Sequence, residues 1–197
     1  FRSLCSMILT DNGYEWLKSV WMKTDSIKGV TLSERDYITI ASELALRGKN
    51  DNKEILNTQL NRISNPDRKS RFKFIMPSLS NDLIVRDEFF ESIKIEENRE
   101  VEPWVQSGVA YLHHPLRVKE SEKYIRPSLE LLEEIQKTGD IFFPARFIGA
   151  TLSRHQSLSA KNIVNQFLED YPNYSPPLKL KILQAADNLF RASTIVQ

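Results

Sequence analysis

The stretch Val101–Leu112, VEPWVQSGVAYL, decides the fold. Val101, Trp104, Val105, Gly108 and Leu112 recur at the three- and four-residue spacing that lines one face of an α-helix. His113, His114 and Pro115 follow at once, and a proline disfavours helical geometry at the residue before it, so the helix must end at this histidine pair. The same spacing returns at Leu56, Leu60 and Ile63, at Ile125, Leu129, Leu132 and Ile135, and at Ile163, Val164, Phe167, Leu168 and Tyr171. The chain has only 6 glycines, and its Asn12-Gly13 pair lies between two helical patterns, so the turns that join hairpin strands are missing.

Punctuation falls between these patterns. Thr31-Leu-Ser-Glu34 has the form of a capping box, Asn65-Pro66 and Ser175-Pro176 set a cap before a first-turn proline, and Gly48 and Gly139 stand just past helix ends. The pattern predicts helices over 1–9, 13–23, 33–47, 52–64, 66–80, 82–94, 98–113, 119–138, 141–155, 157–171 and 176–193. Short linkers force neighbouring helices to run antiparallel. Units starting near Asn81, Lys119 and Ser157 recur at about the length of a two-helix solenoid repeat, although their residues do not match. The expected fold is all-α, with antiparallel helical hairpins stacked as a HEAT/armadillo-like superhelix in one domain over 1–197; an irregular helical bundle is the alternative.

With 27 basic and 26 acidic residues among 197, the net charge of +1 supplies no general field toward nucleic acid or an anionic membrane. A single cysteine, Cys5, excludes an internal disulfide framework and a multi-cysteine zinc site. No apolar run reaches the ~18–20 residues of a membrane span, so a soluble chain is expected, cytoplasmic or periplasmic. Because the sequence begins at Phe1 inside an amphipathic pattern, it reads as a piece of a longer protein.

Candidate chemistry is sparse. His113 and His114 are adjacent, so on a helix they diverge by about 100° and cannot share a metal as histidines four apart do. Both read instead as helix-end residues, where a histidine meets the last carbonyls and the negative end of the dipole. His155, at the end of ARFIGATLSRHQS, reads the same way, and a stack of helix pairs would let His114 and His155 line one rim. No Gly-x-Ser-x-Gly, phosphate-cradling loop or Cys-His signature is present, and Cys5 reads as a buried hydrophobe. In Arg68–Lys73, Phe72, Ile75, Met76 and Leu79 form a core face, which leaves the basic residues as a solvated surface. Glu96-Glu97 and Glu133-Glu134 likewise fall between apolar stripes. In Asp140–Phe147, three aromatics surround a proline at a helix start, with Phe packing between repeats and Arg146 left toward a groove.

The segment EPWVQSGVAYLHHPLRVKESEKYIRPSLELLEEIQKTGDIFFPARFIGATLSRHQS, with SNPDRKSRFKFIMPSLSND before it and LKLKILQAADNLFRA after, resembles the C-terminal region of bacterial M1-family (gluzincin) aminopeptidases. The likeness runs from about Gly13 to Ala192. It implies a non-catalytic domain of paired helices that packs over a thermolysin-like catalytic domain, encloses the peptide cavity and has no activity alone. The family's His-Glu-x-x-His zinc motif and Gly-x-Met-Glu-Asn motif are not in this sequence and would lie upstream of Phe1. No catalytic or metal residue is therefore assigned here, and the zinc belongs to the catalytic domain. The implied partners are that domain and a peptide substrate; Arg126, Arg146 and Arg154 are candidate peptide contacts, chosen by charge, with a carboxylate suited to arginine's fork of donors. The reading from a different class is a free-standing helical-repeat scaffold that binds another protein.

Overall fold

Thr10 begins the first well-punctuated helix as its side-chain oxygen accepts the Gly13 N–H at 3.1 Å, a cap that satisfies one of the free donors of a first turn. A computed structural model describes residues 2–48 and 50–195, and among them every regular element is helical. The chain divides into two compact units, Phe1–Arg86 and Asp87–Gln197.

In the first unit the helices are α1 (Arg2–Met7), α2 (Asp11–Met22), α3 (Glu34–Leu46), α4 (Asn52–Arg62) and α5 (Pro66–Leu79). The pattern over 1–9 is thus Arg2–Met7, and Phe1 lies outside the described residues. Helix α3 is the hub, packed against α1, α2, α4 and α5. Cys5, Leu17, Trp21, Ile40, Leu44 and Ile55 are buried in one cluster. Asn52 joins three elements: its amide donates to the Ala45 carbonyl at 2.9 Å and to the Leu79 carbonyl at 3.0 Å, at the ends of α3 and α5. Because the site is buried, Asn52→Leu, which removes this donor from both carbonyls, is expected to lower stability by about 1–3 kcal/mol in urea unfolding; a change within a few tenths would show that the bridge contributes nothing.

The capping box is displaced from its expected place. Ser33, not Thr31, caps α3: its hydroxyl accepts the Asp36 N–H at 3.4 Å and the Asp36 carboxylate accepts the Ser33 N–H at 2.9 Å. Glu34 is committed elsewhere, accepting from the Ser64 N–H and hydroxyl and pairing with Arg68 at 3.0 Å, which holds its carboxyl at about 2. Both registers satisfy the sequence pattern; the start of α5 decides between them by taking Glu34.

Helix α6 (Leu83–Ser92) spans the division between the units. The second unit continues through a 3₁₀ turn at Glu96–Arg99, then α7 (Glu102–Leu112), 3₁₀ turns at Pro115–Arg117 and Glu122–Tyr124 flanking α8 (Val118–Ser121), then α9 (Ile125–Glu130), α10 (Leu132–Thr138), α11 (Phe143–Leu152), α12 (Leu158–Asp170) and α13 (Pro176–Ile195). Two expected helices change. The one over 98–113 starts only at Glu102, where Pro103 suits a first turn, and the one over 119–138 is broken. Pro127 explains the break, because it has no N–H to give the Lys123 carbonyl, so the chain tightens to a 3₁₀ turn and restarts at Ile125.

Helix α11 lies between α7 and α13, while α9 packs on α12 and α12 on α13. Each helix thus meets its counterpart from the next pair along the chain, the stacking of helical repeats. Phe143, Phe147, Phe167, Leu178 and Ile182 fill the space between the layers. Of the two glycines expected at helix ends, Gly48 has φ of 66°, the left-handed conformation that glycine tolerates best. Gly139 does not: a side chain there would come within 2.7 Å of the Phe143 ring and 3.0 Å of the Ile135 carbonyl, so close packing is what selects glycine. No helix among the described residues is long and apolar enough to cross a membrane.

Candidate functional site

The second unit contains both polar constellations that stand out. In the first, α7 ends at Leu112 and the His113 N–H closes on the Val109 carbonyl at 3.0 Å, as a C-terminal residue does. His114, extended before Pro115, accepts the Leu116 N–H on Nδ1 at 3.3 Å and so starts the next turn. His155 follows α11, and because α11 packs beside α7 the two helix ends meet in the core. It is His113, not His114, that meets His155, and both rings are buried rather than on a rim.

His113 Nδ1 lies 2.8 Å from His155 Nε2, with ring planes at 70°. One proton sits between the rings whichever ring donates, so one outer N–H and one outer lone pair remain. Those outer atoms, His113 Nε2 and His155 Nδ1, are buried with no hydrogen-bond partner among the described residues. Burial lowers the pKa of His113 well below the ordinary value, and the second imidazole adds to this. Burial also lowers that of His155, against an opposing pull from Glu122. The pair is therefore uncharged at neutral pH. No group of three or more His, Cys, Asp or Glu among the described residues is arranged to hold a metal ion.

The second constellation surrounds Arg126 on α9. Its Nε donates to Glu130 at 2.7 Å and its Nη1 to Asp170, at the end of α12, at 2.5 Å. The guanidinium lies 5.4 Å from the Phe167 ring centroid and 5.5 Å from that of Tyr171. These bonds raise its pKa further, so it is charged at every ordinary pH. Phe167, Tyr171 and Tyr174 form an aromatic triangle, with centroids 4.9, 5.0 and 6.3 Å apart, and the Tyr174 hydroxyl donates to the Leu129 carbonyl at 3.0 Å. Glu130, Glu133, Phe167 and Asp170–Tyr174 line a cleft of about 370 Å³.

The other two arginines sit elsewhere. Arg146, on α11, lies over the Phe142 ring at 5.6 Å and 3.7 Å from Asp140, both just before the start of its own helix. Arg154 follows α11 and is exposed. In the Asp140–Phe147 stretch, Phe143 and Phe147 are buried edge to face at 6.0 Å, but Phe142 and Ile141 are exposed. Cys5 is buried as expected, and burial beside Glu43 pushes its thiol up to about 11, far from a nucleophile's range.

Sequence reading missed the cleft and took Glu133 and Glu134 together as solvated surface, which holds for the exposed Glu133. They separate: Glu134 pairs with the buried Arg99, while Glu133 turns to the cleft. The available signal was Tyr171-Pro-Asn-Tyr174, two aromatics around a proline directly after a helix. Comparison of the chain with protein-family models, with curated proteins and with solved structures found no match.

Proposed function

We propose that this chain is the non-catalytic C-terminal helical region of an M1-family zinc aminopeptidase, which packs over the catalytic domain and closes the chamber that holds the peptide. The observation that carries the reading is that 102–157, the main segment of the likeness, folds with the helix that follows it as stacked helix layers, α7 with α11 and α9 with α12. Exposed apolar side chains at Ile141 and Phe142 on the same segment supply surface of the kind that another domain covers. The enzyme so completed would hydrolyse N-terminal peptide bonds with zinc held by residues outside this chain.

Two measurements test it. The purified chain, supplied with zinc and aminoacyl-anilide substrates, is expected to give no turnover above a protein-free control; turnover would mean a catalytic site of its own and end the reading. The native coding sequence upstream of Phe1 is expected to encode His-Glu-x-x-His. An open reading frame that starts near Phe1 would instead favour a free-standing scaffold.

A further inference from the structure

We propose that the cleft beside Arg126 binds a cationic side chain, lysine ammonium or arginine guanidinium, presented by a peptide. The charge of its lining sets the sign of the ligand. Glu130, Glu133 and Asp170 are all carboxylates, and no lysine or arginine lines the cleft. Arg126 beside it offsets part of this charge through Glu130 and Asp170. Glu133 makes no hydrogen bond or ion pair within the described residues, and the C-terminal end of α12, with its partial negative charge, closes on the same space. Three carboxylates stand against one guanidinium, so an anion meets net repulsion and a cation net attraction.

The walls select which cation. Tyr171 is 42% exposed and presents aromatic surface beside the carboxylates, with the buried rings of Phe167 and Tyr174 behind it. Aromatic faces attract weakly hydrated organic cations more than they do small metal ions. Arg126 demonstrates the match inside the molecule, since its own guanidinium is held by two of these carboxylates and two of these rings. Its Nε and Nη1 being committed, Arg126 braces α9 to α12 and fixes Glu130 and Asp170 in place. Glu133 and the exposed part of Tyr171 then remain for an incoming group. Pro172 and the exposed carboxamide of Asn173 form an open rim, which admits a side chain from a peptide running across it. The proposal stands on the cleft alone, and does not depend on the chain belonging to an aminopeptidase.

The full chain is titrated with N-acetyl-arginine amide, N-acetyl-lysine amide and the neutral isostere N-acetyl-citrulline amide, following backbone amide shifts by NMR. The two cations are expected to bind weakly, to shift Tyr171 and Tyr174 amides, and to weaken as salt rises; the citrulline amide is expected not to bind. Glu133→Gln should reduce affinity about fivefold and Tyr171→Leu about threefold, whereas Glu91→Gln, which alters a carboxylate outside the cleft, should leave it unchanged. Both cleft residues are exposed, so an unchanged melting temperature will show that the fold survives. Equal binding of citrulline and arginine amides, absence of binding by either cation, or an unaltered affinity in Glu133→Gln overturns the proposal. Tighter binding of agmatine than of the capped arginine overturns the peptide as the source.

Discussion

Phe167→Ala is expected to destabilise the Asp87–Gln197 unit by about 3–5 kcal/mol, the range for truncating a fully buried phenylalanine. The ring is wholly enclosed and lies where α12 meets its neighbours, 4.9 Å from the Tyr171 ring and 5.0 Å from that of Tyr174. Its removal costs the transfer energy of the ring and leaves a cavity that rigid neighbours cannot fill. It also takes away one of the two aromatic faces beneath the Arg126 guanidinium, so the brace between α9 and α12 loosens. Urea unfolding followed by tyrosine and tryptophan fluorescence would read the loss as a lowered midpoint at unchanged slope. A loss below about 1 kcal/mol would contradict the burial described for this residue. Phe167→Leu should recover more than half of the deficit, because it restores most of the volume.

Acid is expected to weaken the same unit between pH 7.5 and 5.5, and the buried histidine pair sets the direction. In the unfolded chain both imidazoles take up a proton near the ordinary value of 6.5, whereas in the folded chain burial depresses both pKa values. The unfolded state therefore binds more protons below 6.5, and stability falls as pH falls. The pair's contribution is complete above pH 6.5 and is lost as pH drops toward the folded values. With no proton bound to His113 in the folded state, that residue costs about 1.4 kcal/mol at pH 5.5, and His155 adds to the loss in the same direction. Glu122, whose charge opposes the effect of burial at His155, reduces that residue's share; the Tyr124 ring, edge-on to His113 at 6.1 Å, offers the imidazolium no negative group.

The double variant His113→Asn and His155→Gln places amide nitrogens and oxygens near the two bonded ring atoms and cannot titrate in this window. Its stability should fall much less than that of the wild type from pH 7.5 to 5.5. A wild-type profile no steeper than the variant's would show that the buried rings protonate as freely as exposed ones, and would refute the account.

Much of the helical class was legible because its signals are local. The spacing of Val105, Gly108 and Leu112, the Asn65-Pro66 cap and the His114-Pro115 stop each operate within about one turn of helix, and each has its predicted role in the structure. Errors arose where two local signals competed. Thr31 and Ser33 both offered a capping hydroxyl, and only the reach of Glu34 to Ser64 and Arg68, some thirty residues away, resolved the choice. Pro127 was visible throughout, but the apolar period of Ile125, Leu129 and Leu132 runs through it unbroken, so the break in backbone bonding left no trace in the pattern.

The sites followed the opposite rule. Lone arginines and histidines carry no periodic signal, and what each does depends on partners brought by another helix: His155 is 42 positions from His113, and Asp170 is 44 from Arg126. The sequence by itself determined that the chain is helical, near which residues most helices begin and end, and that its few histidines lack the spacing of a helical zinc motif. Only the tertiary structure decided that two of those histidines would be buried against each other, that Arg126 would be held by its own carboxylates, and that Glu133 would face a cleft. Backbone hydrogen bonds and caps span four residues and can be read along the chain, whereas a side chain's charge partner is set by which helix faces it across the core.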